Sequence, residues 1–389
     1  MKFRSAIFTG VIICFVLSFI SQDVFAITAF ARKYKFDCTV CHWSVNKLNK
    51  TGQDFLRMGH MMSKEEVGDK SLTDYVSLTA KIRYNTYKKD TFEEHAFSLY
   101  TGGALDKGFS YFAEMYLHEN SGSVNAAAAS TDFSDYGRTK LAEAFMQYTY
   151  EENDKAFTTV RFGQIVSQLL YIHGIGGRFG KDRSLVLTST FSGANPYKPF
   201  QRNYGAEISQ HYKGFTGSFG LVNGTGGKVF NMVDDNSFKD MYGTLDYEFG
   251  KEGSMAGFYI YKGKYSGTGI TDEFFQLGPM FNYLTPSFTI TGMALMGRNK
   301  KDALTEKKYQ SLGAYLEAGY KAYSDILVPY ARYDFFKPDS ASNTKTHGPV
   351  AGLVWRPFTY GRLVGEFTRL EQHGTAAINK FSLEAQYMF

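Results

Sequence analysis

The sequence predicts a mainly β protein in which sixteen antiparallel strands close into one barrel. Three observations favour this fold: side chains that alternate between apolar and polar, connections that alternate between short and long, and an unusual composition. The chain of 389 residues contains 28 Tyr, 35 Phe and 39 Gly but only 8 Pro. This composition is typical of strands with one apolar face. The formal net charge of +5 is too small to predict a nucleic-acid partner.

Residues 1–26 are predicted to be a secretory signal peptide rather than part of the fold. Lys2 and Arg4 supply positive charge, residues 6–20 are almost wholly apolar, and Ala26 ends a small-residue cleavage site. Export signals have these features in this order. We therefore expect cleavage after Ala26 and a mature protein outside the cytoplasm.

Residues 27–72 are predicted to form a small α-helical segment that carries one covalently bound haem c. The motif Cys38-Thr39-Val40-Cys41-His42 has the C-x-x-C-H spacing of c-type haem attachment. Cys38 and Cys41 can bond to the two vinyl groups of one porphyrin, and His42 can serve as the proximal iron ligand. A redox dithiol, a structural disulfide or half of a zinc site would use the same cysteines. However, the mature chain has no further cysteine, and a thioredoxin-like βαβ context is absent.

The sequence leaves the distal ligand of the haem iron open. The candidates follow the motif closely and are Met58, His60, Met61 and Met62. Methionine would raise the reduction potential, whereas a second histidine would lower it. Apolar packing of these residues in the lumen and an open sixth position on the iron are the alternatives.

Two other features of this segment lead to expectations about its structure. The basic pair Arg32-Lys33 could contact the haem propionates or remain solvated. Gly52 and Gly59 are expected to divide the segment into short helical pieces.

Residues 73–389 show the period of two that marks strands with two unlike faces. The predicted strands lie near residues 74–87, 94–103, 108–118, 138–150, 156–163, 201–212, 214–223, 238–249, 254–263, 272–283, 286–297, 309–321, 325–336, 346–356, 359–370 and 378–389. The strand number is even, and no apolar run after residue 26 is long enough for a membrane helix. These features predict a transmembrane, porin-like barrel of the bacterial outer membrane, in contact with its lipid.

The connections between the predicted strands indicate how the barrel is oriented. Connections such as 213–214 and 250–253 are short, whereas 119–137 and 164–200 are long. Outer-membrane barrels have short periplasmic turns and longer outer loops. We therefore expect the N-terminus and the C-terminus in the periplasm, with residues 164–200 as an outer loop that folds into the lumen.

The same alternation predicts which charged side chains face the lumen. They are Lys81, Arg83, Glu114, Glu143, Asp246, Glu248, Glu317, Arg332, Asp334 and Glu366. These residues could simply solvate a water-filled pore. In the outer loops, carboxylates could assist a divalent cation or only keep the loops soluble. These carboxylates are Asp132, Asp135, Asp234 and Asp235.

The segment around the motif resembles the fused monohaem cytochrome–porin family of the bacterial outer membrane, which includes iron-oxidising c-type cytochromes. Besides the C-x-x-C-H motif, the matching residues are Phe30, Ala31, Arg32, Leu48, Asn49, Gly52, Phe55 and Gly59. The chain has Asn46, Thr51 and His60 where the family tends to have Pro, Phe and Tyr. The barrel is similar to the family in length, strand number and orientation, but not in sequence.

This resemblance implies an electron conduit with a haem segment that plugs the lumen. The single haem would transfer electrons from an extracellular donor, by resemblance ferrous iron, to a periplasmic c-type cytochrome. Because outer-sphere transfer needs no acid–base residue beyond the haem, such a protein would act as an Fe(II) oxidase without further catalytic residues.

Three alternatives stay open at this point. The same conduit could export electrons to extracellular acceptors. The barrel could be a porin whose haem segment is a structural or gating plug. A haem enzyme such as a peroxidase would need an open iron site and a distal acid or base, and His60 or His118 lacks recognisable peroxidase spacing.

Overall fold

The structure is a computed structural model that describes most of residues 28–389. It leaves out residues 45–46, 69–70, 87–89, 120–139, 154–155, 175–176, 192–194, 225–235, 268–269, 301–307, 325, 340–343 and 359. The expected signal peptide with its cleavage site at Ala26 lies outside the described residues. So do the four loop aspartates Asp132, Asp135, Asp234 and Asp235.

Residues 28–74, here called the N-terminal segment, contain short helices and one two-stranded ribbon. The elements are α1 (Thr28–Tyr34), a 3-10 helix (Cys38–Val40), β1 (His42–Ser44), β2 (Lys47–Leu48), α2 (Lys50–Arg57) and a second 3-10 helix (Leu72–Asp74). The expectation that Gly52 divides the helices is wrong, because Gly52 lies inside α2. Gly59 does follow the end of α2, with a φ of 75° that favours glycine.

Sixteen antiparallel strands then close into one barrel, as the sequence predicts. They are β3 (Val76–Asn85), β4 (Thr91–Asp106), β5 (Phe109–Glu119), β6 (Lys140–Asn153), β7 (Ala156–Ile165), β8 (Asn203–Tyr212), β9 (Phe215–Val222), β10 (Asp240–Phe249), β11 (Ser254–Gly267), β12 (Ile270–Leu284), β13 (Phe288–Asn299), β14 (Tyr309–Tyr320), β15 (Leu327–Lys337), β16 (Thr346–Trp355), β17 (Gly361–Gln372) and β18 (Ile378–Met388). The barrel closes where β18 pairs with β3. The backbone N–H of Phe389 donates to the carbonyl of Leu78 at 2.9 Å, and the return bond measures 2.7 Å.

The two faces of the barrel wall differ as the alternation predicts. Large apolar side chains such as Phe162, Leu245 and Met296 point outward and are 57–71% exposed. Of the charged residues predicted to face inward, Lys81 is partly buried and all the others are buried. An apolar outer face on a closed barrel is the surface that lipid chains can cover without leaving backbone groups unpaired.

The connections separate the barrel into two different ends. At one end, called the short-turn end, strands are joined by residues 107–108, 154–155, 213–214, 250–253, 285–287, 321–326 and 356–360. At the other, called the long-loop end, they are joined by residues 86–90, 120–139, 166–202, 223–239, 268–269, 300–308, 338–345 and 373–377. The connection 268–269 is shorter than expected because β11 and β12 extend beyond their predicted bounds. Strand β3 begins and β18 ends at the short-turn end.

Buried ion pairs fix the N-terminal segment inside the barrel near the short-turn end. Arg57 of α2 donates to Glu248 at 2.7 Å and to Asp246 at 3.1 Å. All three side chains are at most 6% exposed. The amide of Gln53 also donates to the carbonyl of Gly253 at 2.9 Å, in a short turn. Two of the predicted inward carboxylates therefore bind the segment instead of solvating a pore.

The long connection 166–202, here called the third loop, folds back into the lumen. It contains α3 (Gln168–Gly174) and α4 (Leu185–Thr188). Buried apolar residues of the loop, including Leu169 and Val186, join one core cluster with wall residues such as Tyr259 and Met280. Among the described residues, no helix is long and apolar enough to cross a membrane. The loop and the N-terminal segment together occupy the interior of the barrel.

We predict that Arg57→Met releases the N-terminal segment from the wall. The substitution leaves Asp246 buried without its ion-pair partner, while Glu248 keeps only Lys50. Loss of one partner from a buried ion pair costs about 3–5 kcal/mol. We expect protease to cleave the segment markedly faster in this variant while the barrel remains intact on gels.

Arg369→Met is the matched control. Arg369 pairs with Glu371 at 3.3 Å on the surface, where both side chains are more than half exposed. Such pairs contribute about 0–1 kcal/mol, so cleavage should match the wild-type rate. Equal cleavage rates in both variants would contradict the anchoring role of Arg57.

Candidate haem site

The C-x-x-C-H motif lies on a tightly turned stretch of backbone. The carboxylate of Asp37 caps the 3-10 helix by accepting a hydrogen bond from the N–H of Thr39 at 2.9 Å. The N–H of Cys41 donates back to the carbonyl of Cys38 at 3.2 Å. Among the described residues neither cysteine forms a disulfide; Cys38 is buried and Cys41 is partly buried. Burial also raises the pKa of the Cys41 thiol.

Helix α2 holds the motif in this conformation through Asn49 and Gly52. The Asn49 side chain accepts the N–H of Gly52 at 3.1 Å and donates to the carbonyls of Thr39 and Val40, each at 3.0 Å. At Gly52 the helix backbone comes so close that a Cβ would overlap the carbonyl oxygen of Cys41. Asn49 and Gly52 are among the residues on which the resemblance described above depends. Their contacts show that they hold the backbone of the motif in place.

His42 is positioned by the short ribbon in which it pairs with Leu48. Its Nδ1 is buried and has no hydrogen-bond partner among the described residues. Burial and the positive charge of Arg356 lower the pKa of His42 to about 4. The imidazole is therefore neutral at neutral pH, which is the form that binds a metal.

A large cavity opens beside the motif. The empty space inside it, with the solvent-open mouth included, is about 1570 Å³. The three motif side chains Cys38, Cys41 and His42 all line it. The N-terminal segment supplies an apolar lining from Phe30, Leu48, Phe55 and Leu56. The barrel and the third loop supply a basic lining from Lys81, Arg178, Arg356 and Arg362.

The four candidate distal ligands do not all reach this cavity. His60 and Met62 line it, whereas Met58 and Met61 do not. Met61 is completely buried elsewhere. The backbone carbonyl of Met58 lies against the wall, where it accepts a hydrogen bond from Thr149 at 3.4 Å.

His60 is held in a fixed orientation by the turn that ends α2. Gly59 and His60 have φ angles of 75° and 66°, so two left-handed residues reverse the chain. The His60 ring then stacks between Phe30, at 5.3 Å, and Phe112, at 4.5 Å. Its Nδ1 is buried without a partner among the described residues. Burial and the charge of Arg161 lower the pKa of His60 to about 3, so this ring is also neutral.

Arg32 and Lys33 bind protein groups, whereas the sequence suggested that they contact the haem propionates or remain solvated. Arg32 donates to the carbonyls of Thr73 at 2.6 Å and Val76 at 2.8 Å, and Lys33 pairs with Glu66 at 3.1 Å. Neither residue lines the cavity. Arg32 fixes the segment to the start of β3 instead, and Lys33 joins α1 to Glu66 within the segment. The side chain of His118 lies outside what the structure describes.

The basic residues that do line the cavity were not identified as site residues from the sequence. Lys81 was predicted only to face the lumen, and Arg178, Arg356 and Arg362 were not singled out. They come from β3, the third loop, a short turn and β17. No local spacing relates these four positions, so only the closed barrel brings them together.

The residues around the cavity fit a covalently attached haem. They provide two thiols at attachment spacing, neutral imidazoles on two elements, an apolar lining for a porphyrin and cations for its propionates. In the described part of the chain, no group of three or more His, Cys, Asp or Glu side chains could hold a separate metal ion.

We predict that Gly52→Ala loosens the motif. The added methyl group forces α2 away from the Cys41 carbonyl, and overpacking of this kind costs about 1–3 kcal/mol. In protein produced without haem maturation, a thiol reagent should alkylate Cys38 faster than in the wild type. Gly217→Ala is the control, because a Cβ at Gly217 meets nothing within 4 Å. Equal alkylation rates in the two variants would refute the packing role of Gly52.

Comparisons with known proteins establish the fold. No family model matches the chain, and no curated protein matches its sequence. Among solved structures, an anion-selective porin from Comamonas acidovorans is similar, with TM-score 0.58 and 14% identity over 81% of this chain and 98% of that one. The outer-membrane channel DcaP of Acinetobacter baumannii has TM-score 0.55 and 13% identity, covering 83% and 100%. OmpT of Vibrio cholerae has TM-score 0.53 and 12% identity, covering 81% and 98%. The chain therefore has the fold of outer-membrane porins.

Proposed function

We propose that this protein is an outer-membrane electron conduit with a single c-type haem attached to Cys38 and Cys41 inside a porin-like barrel. One observation carries the proposal: the side chains of Cys38, Cys41 and His42 line the same cavity as a second buried imidazole, His60. A haem bound there supplies a one-electron carrier whose potential is set by its axial ligands and surroundings. His42 is its proximal ligand.

Three features support a location in the outer membrane. The wall has an apolar outer face, the connections alternate between short and long, and the sequence of residues 1–26 predicts an export signal. In this arrangement the short turns and both chain ends face the periplasm. The cavity lies among residues of the short-turn end, including Tyr360 and Met388. A periplasmic c-type cytochrome would therefore meet the haem from that side.

The third loop supports contact between the haem and the outer side. Tyr171 of α3 lines the cavity, and the same loop starts and ends at the long-loop end of β7 and β8. The haem would thus stand in an electrically insulating membrane with protein on both sides. The residues of the chain bind it, orient it and exclude water, and no acid–base group is required.

The porin alternative rests on the fold shared with known porins. A solute pore needs a water-filled lumen. In the described residues, however, the third loop packs an apolar cluster across the interior, in which Leu170, Leu187 and Phe191 are at most 2% exposed. This packing favours a conduit over an open channel.

The direction of electron flow depends on the distal ligand. The resemblance implies extracellular ferrous iron as donor, and Met62 as ligand would raise the potential for that reaction. Ligation by His60 would lower the potential and favour export to extracellular acceptors. His60 and Met62 are the two candidates that line the cavity. The His60 ring is held by stacking, whereas Met62 is exposed.

We predict that Met58→Leu and Met61→Leu leave the optical and paramagnetic resonance spectra of the oxidised haem unchanged, because neither side chain lines the cavity. Replacement by Ala of the one that is the distal ligand, His60 or Met62, should instead convert a low-spin spectrum to a high-spin one, and replacement of the other should not. A change in either Leu variant would contradict the geometry.

We predict that ferrous iron outside reconstituted vesicles reduces a c-type cytochrome trapped inside them. The Cys38→Ala, Cys41→Ala double variant is the control, because it keeps the barrel but has no haem attachment. Iron leaking through the barrel would reduce the trapped cytochrome equally in both preparations and would favour a pore. A wild-type haem that stays oxidised, with a potential well below the iron couple, would favour outward export.

A further inference from the structure

Two cations without partners face the same cavity. Lys81 projects from β3, and Arg178 projects from the third loop. Neither makes a hydrogen bond or an ion pair to any residue in the described part of the chain, and the Nε of Arg178 is buried and unsatisfied. Arg178 is also the charged residue that most strongly opposes the charge of Lys81. Two like charges in a low-dielectric interior are unfavourable unless an anion lies between them.

The carboxylates near this pair already have other partners. Glu384 accepts from Arg83 at 2.6 Å and from Arg362 at 2.9 Å. Glu114, which also interacts with Lys81, accepts from Arg202 at 2.9 Å and from Tyr100 at 2.8 Å. These bonds use the carboxylate oxygens of both residues. Among the described residues, Lys81 and Arg178 therefore share these two carboxylates with other cations and have no carboxylate of their own.

The acidic residues of the cavity lining do not neutralise the positive charges of Lys81 and Arg178. Among the described lining residues only Asp37 is acidic. Its Oδ1 accepts from both the N–H and the hydroxyl of Thr39, at 2.9 and 2.8 Å. Excess positive charge thus remains on the wall and loop side of the cavity.

The backbone around both cations is fixed, so their positions are part of the fold. Lys81 pairs in register with Gln386, which pairs in turn with Arg362, and this places the three residues in one row across the wall. Arg178 lies between two anchored carbonyls: Gly177 accepts from Lys47 at 2.9 Å. On its other side, Phe179 accepts from Arg362 at 3.3 Å.

We propose that Lys81 and Arg178 bind the two propionates of the haem and so fix its rotation in the lumen. A dianionic pair of carboxylates neutralises two cations, and charge-assisted hydrogen bonds to Lys and Arg are the strong ones. The apolar lining of the N-terminal segment then receives the rest of the porphyrin. This inference rests on the proposed function, because it assumes that haem is attached to the motif.

The consequence is electrostatic and can be measured. A cation beside the haem favours the reduced iron, which carries one positive charge less, so removal of Lys81 or Arg178 lowers the midpoint potential. The propionate that has lost its cation also becomes easier to protonate, because its pKa rises. The potential of each variant should therefore depend on pH in the neutral range, whereas the wild-type potential should be nearly constant there.

The test is spectroelectrochemical titration of the purified holoprotein at several pH values. Lys81→Met and Arg178→Met should each shift the redox equilibrium about tenfold toward the oxidised form, about 59 mV for a one-electron couple. The charge-conserving variants Lys81→Arg and Arg178→Lys should retain most of the wild-type potential, and they serve as the test if the Met variants fail to fold. Lys213→Met is the matched control, because it removes the same charge from a short turn outside the cavity.

Each outcome has a clear meaning. Equal potentials in Lys81→Met, Arg178→Met and Lys213→Met, with haem still attached, overturn this inference and leave the conduit in place. Equal shifts in the Met variants and their charge-conserving counterparts overturn it as well. A wild-type potential that changes when a small dicarboxylate is added assigns the cations to a solute anion instead. Wild-type protein without covalent haem overturns both proposals.

Discussion

The ion pairs between Arg57 and the wall carboxylates Asp246 and Glu248 are the interaction on which the rest of the interior depends. A barrel with a polar inner face must either hold water or satisfy its charges with protein. Here helix α2 brings Arg57 to both of these buried carboxylates, and Lys50 of the same helix also pairs with Glu248. This contact places α2 against the wall, and α2 in turn carries Asn49 and Gly52 against the C-x-x-C-H motif.

The haem motif is thus part of a chain of contacts that begins at the barrel wall. Asn49 binds the carbonyls within the motif, and Gly52 permits a distance that no side chain would allow. The turn after α2 then returns His60 to the cavity. A short segment without a large core of its own can keep such a geometry because the barrel surrounds it. The segment thereby occupies part of the lumen.

The barrel could be predicted from the sequence because its signals are local and repeated. Alternation with a period of two marks each strand, and the connection lengths distinguish the two ends. The C-x-x-C-H motif is also local, so Cys38, Cys41 and His42 could be identified from their spacing in the sequence alone. Gly52 misled the prediction, since a glycine that permits close packing looks the same in sequence as one that ends a helix. Lys81, Arg178 and Arg362 could not be combined from sequence, because β3 and β17 come to flank β18 only when the barrel closes, and Arg178 comes from the third loop.

The central claim is that one haem is covalently bound to the motif in the mature protein. The most direct measurement is the intact mass of the protein purified from outer membranes, followed by the mass of the peptide that contains Cys38 and Cys41. We expect a mature chain heavier by one haem, with the added mass on that peptide and absent when both cysteines are replaced. An unmodified peptide with two free thiols, in cells competent for haem attachment, would contradict it.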